Sequence, residues 1–213
     1  MRTFAVLPVK RFGVAKQRLR GGLDPATREA LVEAMFTDVV DSLLRAPVER
    51  IVVVTASAAA RTIAADRGAE VVADRELGHN AAAELGIDVA VRGGAQQVLL
   101  VPGDCPALDP QELAGLLRRS VQPPSVIVVP DRHGTGTNAL LLSPPDALAP
   151  SFGPGSAQRH LELARARGTD AQLVELPSLA LDIDTPEDIE SLTKVSDGRA
   201  RLTLRLLSQP SAC

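Results

Sequence analysis

The chain has 213 residues, 45% of them hydrophobic and 23% charged, which is enough for one domain with a substantial core. Its net charge of −3 argues against non-specific nucleic-acid binding, which needs a basic surface. With four Phe and no Trp or Tyr, the core must be built from Ala, Val, Leu and Ile, and aromatic stacking on a ligand is a poor expectation.

Thr3–Val9 is a continuous apolar run and reads as a buried strand. A basic stretch follows, with Lys10, Arg11, Lys16, Arg18 and Arg20 and no acid before Asp24. On its own such a run is a solvated surface. Asp24-Pro25 opens a helix, Asp as N-cap and Pro at the first helical position. Ile51–Thr55 is a second strand, Ala58–Arg67 a helix stopped by Gly68, Val71–Ala73 a third strand and Ala81–Arg92 a helix. Val98–Pro102 is a fourth strand that runs into Gly103-Asp104-Cys105-Pro106, and Asp109-Pro110 starts the next helix. Val126–Pro130 and Asn138–Ser143 are adjacent strands around the loop Asp131–Thr137, Ala157–Arg167 is helical, and Leu181–Asp184 is a short strand edge before a helix capped by Thr185. Leu202, Leu204 and Leu206 alternate as a lone strand would. This rhythm implies an α/β three-layer sandwich whose sheet is mixed and mainly parallel.

Several chemistries are excluded. There is no Gly-x-x-x-x-Gly-Lys-Ser/Thr, no Gly-x-Gly-x-x-Gly and no Gly-x-Ser-x-Gly. His79, His133 and His160 are scattered without zinc spacing, and Cys105 and Cys213 match no ligand pattern. No apolar run approaches the ~18 residues of a membrane span. Without a signal-peptide pattern, the expectation is a soluble cytoplasmic protein with reduced thiols.

In open α/β sheets ligands bind beyond the carboxyl ends of the strands. There the chain carries the basic loop after the first strand, Asp104 after the fourth, and Asp182 and Asp184 near the end. Residues two apart in a strand share a face, so Asp182 and Asp184 would project together, which is costly without a cation between them. Three carboxylates at strand ends suit Mg²⁺ with substrate phosphate oxygens. Gly134–Thr137 and Phe152–Ser156 are small-residue loops through which backbone N–H groups could approach an anion, the second at a helix N-terminus. Taken singly, each of these features has a plain structural reading.

Six segments, Lys10 to Leu19, Asn80-Ala81, Gly103 to Pro106, Asp131 to Thr137, Phe152 to His160 and Leu181 to Pro186, resemble in order the motifs of the CofC/FbiD guanylyltransferases. The match runs from about Thr3 to Lys194, so a single nucleotidyltransferase domain is expected over 1–194, with a tail of unassigned role at 195–213. The resemblance implies a nucleotide-diphospho-sugar-transferase-like fold. It also implies condensation of GTP with phosphoenolpyruvate, 2-phospho-L-lactate or 3-phospho-D-glycerate, releasing pyrophosphate, on the route to the deazaflavin coenzyme F420. By resemblance, Asp104, Asp182 and Asp184 would hold Mg²⁺, with Asp104 and Lys16 as the catalytic residues. Lys10, Lys16 and Asn80 would meet the nucleotide, and Thr137, Gly153 and Ser156 the phosphorylated acid. The chain departs from relatives in having His79 before Asn80 and Cys105 after Asp104. Neither nucleic acid nor membrane is an expected partner, and a homodimer is possible. The rival readings are a nucleotidyltransferase of molybdenum-cofactor type and a non-catalytic sensor of phosphorylated metabolites.

Overall fold

The apolar runs are short and continuous, so strands built from them must be covered on both faces. The computed structural model describes residues 1–14, 16, 19, 23–119, 122–195 and 198–208. The basic residues Arg18 and Arg20 and the thiol of Cys213 lie outside the described residues. The strands are β1 (Thr3–Val9), β2 (Arg50–Thr55), β3 (Glu70–Ala73), β4 (Gln97–Leu100), β5 (Ser125–Pro130), β6 (Thr137–Ser143) and β7 (Asp170–Leu173). They form one sheet in the order β3-β2-β1-β4-β6-β5-β7. β6 is antiparallel to β4 and β5, and the other pairs are parallel.

The described helices are α1 (Pro25–Leu43), α2 (Ala58–Asp66), α3 (His79–Arg92), α4 (Pro110–Arg118), α5 (Ser156–Ala166), α6 (Pro177–Ala180), α7 (Pro186–Val195) and α8 (Arg201–Leu207). Alternate residues of each strand face opposite layers. Phe4, Val6, Val98 and Leu100 join Ala83, Ile87 and Ala90 of α3 and Leu161 of α5 in one core. Ala5, Leu7 and Leu99 join Leu31, Met35 and Val39 of α1 and Leu113 of α4 in the other. The expected mixed, mainly parallel three-layer sandwich is what forms. Asp24 caps α1 through the Ala26 and Thr27 N–H groups, and Asp109 caps α4 through Gln111.

α3 lies close on β1 because Gly86 has no side chain. A Cβ there would come within 2.3 Å of Val6 Cγ1 and 3.1 Å of Val54 Cγ2, both branched core groups. Gly86→Ala is expected to lower unfolding free energy by ~1–3 kcal/mol through overpacking, measured by urea denaturation. Unchanged stability would refute this packing argument.

Two expectations need correction. Segment 181–184 is not a strand but extended chain without sheet pairing. The side chains still alternate, Leu181 and Ile183 inward and Asp182 and Asp184 partly exposed. Leu202–Leu206 is helical rather than a strand. The carboxylate of Asp38 on α1 accepts from the backbone N–H of Leu202 (3.1 Å) and of Thr203 (2.8 Å) and from the Thr203 hydroxyl (2.7 Å). It satisfies the donors that open α8, while Leu204, Leu206 and Leu207 pack on the core. β7 and the one-turn α6 had no sequence signal strong enough to announce them.

Candidate active site

The carboxyl ends of β1, β2, β3 and β4 share one edge of the sheet. Because β6 is antiparallel to β4, with Leu100 opposite Leu140, its first residues reach the same edge. Thr137 and Asn138 therefore join a site otherwise made by loops that follow strands.

A cavity of about 400 Å³ opens at this edge, lined among others by Lys10, Lys16, His79, Asp104 and Asp184. A second cavity of about 190 Å³ shares Lys10 and His79 with it and adds Arg11, Asp74 and Glu76. Arg11 and Glu76 pair at 2.8 Å on its rim. Of the loop cations, Lys10 is exposed, and Lys16 is drawn down onto the carboxylates. Its Nζ lies 2.5 Å from Asp104 Oδ2 and 2.6 Å from Asp184 Oδ1. The Lys16 side chain is 6% exposed, against 31% and 39% for the two acids, so the cation is buried beneath more open carboxylates. Burial disfavours the ammonium, but Asp104 and Asp184 outweigh it and raise its pKa above that of an ordinary lysine.

Asp182 lies beside this pair. Burial, then repulsion from Asp104 and Asp184, raises its pKa. Asn138 Nδ2 donates to Leu179 O at 2.6 Å and reaches Asp182 Oδ1 at 3.5 Å. The backbone here is fixed by Asp188, whose Oδ2 accepts from the N–H of Asp184 (2.8 Å) and Thr185 (2.7 Å) while Oδ1 pairs with Arg132. Ile183 N–H donates to Asp104 O at 3.2 Å, so the two acidic segments are joined directly. Among the described residues, no three His, Cys, Asp or Glu side chains form a ready metal cage. Two carboxylates do converge on a single buried cation, Lys16. Hard oxygen donors of this kind are the type that suits a small divalent ion. Cys105, beside Asp104, is buried and its Sγ contacts Leu179 O at 3.5 Å. Burial, then the nearby aspartates, hold its thiol protonated, which is a structural role.

The small-residue loops come together on the neighbouring side. Asp131 shapes the first by accepting from the N–H of His133, Thr135 and Gly136 at 3.1, 3.0 and 2.9 Å. Thr135 O then accepts from Ala157 N–H at 3.1 Å, tying this loop to the start of α5. Gly153 has φ +130°, open to glycine, and Gly155 precedes α5 in the left-handed region. Ser156 is 1% exposed, and its Oγ has no hydrogen-bond partner among the described residues. An orphaned buried hydroxyl at the positive end of an 11-residue helix suits an anion. Arg159 holds the loop, donating to Ser151 O at 2.8 Å and Pro154 O at 3.0 Å.

Asn80, at the start of α3, bridges to this loop. Its Oδ1 accepts from Phe152 N–H at 2.7 Å, and its Nδ2 donates to Phe152 O at 3.3 Å. The Phe152 ring stands edge-on to His79 (5.0 Å) and to His160 (5.3 Å). The two sides of the edge are thus braced through Phe152.

Sequence reasoning gave no site role to His79, Asn138 or His160, and read Asp188 only as part of the cap of the last helix. His79, Asn138 and His160 act through partners farther away along the chain, whereas the Thr185-to-Asp188 spacing at the start of α7 was a local signal for Asp188. His160 is buried. Burial, then Arg159, lowers its pKa from 6.5 to about 4. The folded chain keeps this imidazole neutral while the unfolded chain protonates near 6.5, so stability should fall as pH drops from 6.5 towards 4 and level off below. Thermal melts across that range should show the wild-type advantage over His160→Asn shrinking with acidity. An advantage that grows with acidity would contradict the neutral assignment.

These features define a nucleotidyltransferase-type α/β fold with its site at the carboxyl edge. A nucleotidyl transferase from Methanothermobacter shares the fold at TM-score 0.67 and 18% identity, covering 96% of this chain and 98% of that one. A Desulfovibrio desulfuricans structure, named provisionally as a nucleotide-diphospho-sugar transferase, shares it at TM-score 0.75 and 16% identity, over 97% and 94%. The chain belongs to the CofC-like guanylyl transferase family, whose model matches residues 3–208. It is 46% identical over 202 residues to the phosphoenolpyruvate guanylyltransferase of Conexibacter woesei, covering 93% of this chain and 91% of that protein. It is 37% identical to the 3-phospho-D-glycerate guanylyltransferase of Colwellia psychrerythraea, covering 92% and 93%.

Proposed function

We propose that this chain condenses GTP with phosphoenolpyruvate, forming a guanosine diphosphate-linked acid and releasing pyrophosphate, as a cytoplasmic enzyme of coenzyme F420 biosynthesis. The observation that carries the chemistry is the convergence of Asp104 and Asp184 on Lys16 in the lining of the 400 Å³ cavity. The choice of acid rests on the relatives: those at 46% and 41% identity are named phosphoenolpyruvate guanylyltransferases. A second reading, 3-phospho-D-glycerate as acceptor, is favoured by the Colwellia relative at 37%.

The acceptor phosphate is already largely dianionic at neutral pH, so it needs no general base. Buried His160, its pKa lowered to about 4, would in any case be a weak base. The obstacle is repulsion between anions, ~4 kcal/mol even for unit charges 4 Å apart at an effective dielectric of 20. In this reading Lys10 and Lys16 meet the triphosphate, and Asn80 with His79 borders the nucleotide. Thr137, the Gly153 backbone and Ser156 hold the acid. Asp104, Asp182 and Asp184 would hold Mg²⁺, which when bound supplies charge neutralisation at the reacting phosphates. What remains for the protein is in-line positioning.

The test is pyrophosphate release with Mg²⁺, crossing phosphoenolpyruvate, 2-phospho-L-lactate and 3-phospho-D-glycerate with GTP, ATP and CTP. The highest kcat/KM is expected for GTP with phosphoenolpyruvate. A preference for CTP, or for 3-phospho-D-glycerate, would replace this assignment, and no release with any pair would favour a sensor.

A further inference from the structure

His160 Nε2 lies 2.9 Å from the backbone nitrogen of Ser151, which can only donate. Nε2 is therefore the acceptor, and in a neutral imidazole the proton must sit on Nδ1. Nδ1 is 3.0 Å from Thr137 Oγ1. The direction of this second bond follows: Nδ1–H donates and the threonine oxygen accepts. With its oxygen engaged, Thr137 keeps its hydroxyl hydrogen for another acceptor, and among the described residues the hydroxyl makes no further side-chain bond. Thr137 stays partly exposed at the carboxyl edge, while His160 is fully buried on α5 behind it.

We propose that His160 is a positioning residue that fixes the Thr137 hydroxyl as a hydrogen-bond donor toward the phosphorylated acid. The inference rests on the reading above that Thr137 faces the acid. Its logic is that phosphate and carboxylate oxygens only accept, so an unconstrained hydroxyl, which can donate or accept, is less useful than one whose lone pair is already taken. A chain of aligned donors, Ser151 N–H to His160 to Thr137, also polarises each successive bond. Phe152 packed edge-on against the His160 ring, and Arg159 laced to Ser151, keep the imidazole from rotating out of this relay.

Asn and Gln separate the two halves of the imidazole. Asn places an amide N–H near the Nδ1 position, and Gln places an acceptor near Nε2. The experiment is steady-state kinetics with GTP and phosphoenolpyruvate on Thr137→Val, His160→Gln, His160→Asn and the Thr137→Val/His160→Gln double variant. Thr137→Val and His160→Gln should each raise the KM for the acid by ~10-fold or more, leaving that for GTP within ~2-fold. His160→Asn should recover to within ~3-fold of wild type, and the double variant should be no worse than Thr137→Val alone. In wild-type protein, ¹⁵N NMR should find the His160 proton on Nδ1, a reading that needs no variant to fold. A proton on Nε2, multiplicative effects in the double variant, recovery by Gln rather than Asn, or equal rises in both KM values would each overturn the proposal. If Thr137→Val leaves the acid KM unchanged, the acid-site reading of Thr137 falls with it. If Thr137→Val alone raises it and His160→Gln does not, only the His160 inference falls.

Discussion

Asp104→Ala is expected to lower kcat by ~10³-fold or more while the chain stays folded. Asp104 is one of two carboxylates on the buried Lys16 ammonium, at 2.5 Å, and it borders the main cavity. In the proposed reaction it would help hold the divalent ion, a contribution of several kcal/mol, and ~4 kcal/mol corresponds to about three orders of magnitude in rate. The fold should survive because the side chain is 31% exposed and Lys16 keeps its 2.6 Å contact with Asp184. Turnover within tenfold of wild type, with an unchanged circular dichroism spectrum, would remove Asp104 from the machinery.

Lys16→Met separates two effects that wild type superimposes. Without divalent ions, the variant should unfold at lower temperature, since Asp104 and Asp184 lose their shared ammonium beside Asp182, whose charge they already oppose. Allowing for the partial exposure of both acids, the cost is ~1–2 kcal/mol. Added Mg²⁺ should then raise the melting temperature more in Lys16→Met than in wild type, because the ion no longer competes with an ammonium for the same oxygens. Turnover should nonetheless fall by ~10²-fold or more, as a cation near the triphosphate is gone. Equal Mg²⁺-induced shifts in the two proteins would show that lysine and metal do not share those carboxylates.

Much of the scaffold could be read from local pattern. Continuous runs such as Thr3–Val9, and the Asp-Pro openings at Asp24 and Asp109, are determined by burial on two faces and by capping, both properties of near neighbours. β7 was missed because its largely exposed, mixed residues carry little periodicity, and α6 because four residues are too few to show any. The tail was misread because alternation in Leu202, Leu204 and Leu206 imitates a strand. The deciding partner, Asp38, is 165 residues from Thr203 in sequence.

The site divides in the same way. Asp104, Asp182 and Asp184 stand out in the sequence because a carboxylate just after a buried strand, and two more alternating with apolar residues, demand an explanation in charge. The sequence also contains Lys16, Thr137 and Ser156 as candidates. It cannot say that the lysine is clamped by two acids, that Asn80 braces Phe152, or that His160 aligns the Thr137 hydroxyl. Composition and spacing determine which chemical groups are available and which strands they follow. The direction of a hydrogen bond and the sharing of one cation by two carboxylates depend on distances of 2.5–3.0 Å between residues 23 to 168 positions apart. Only tertiary packing sets those distances.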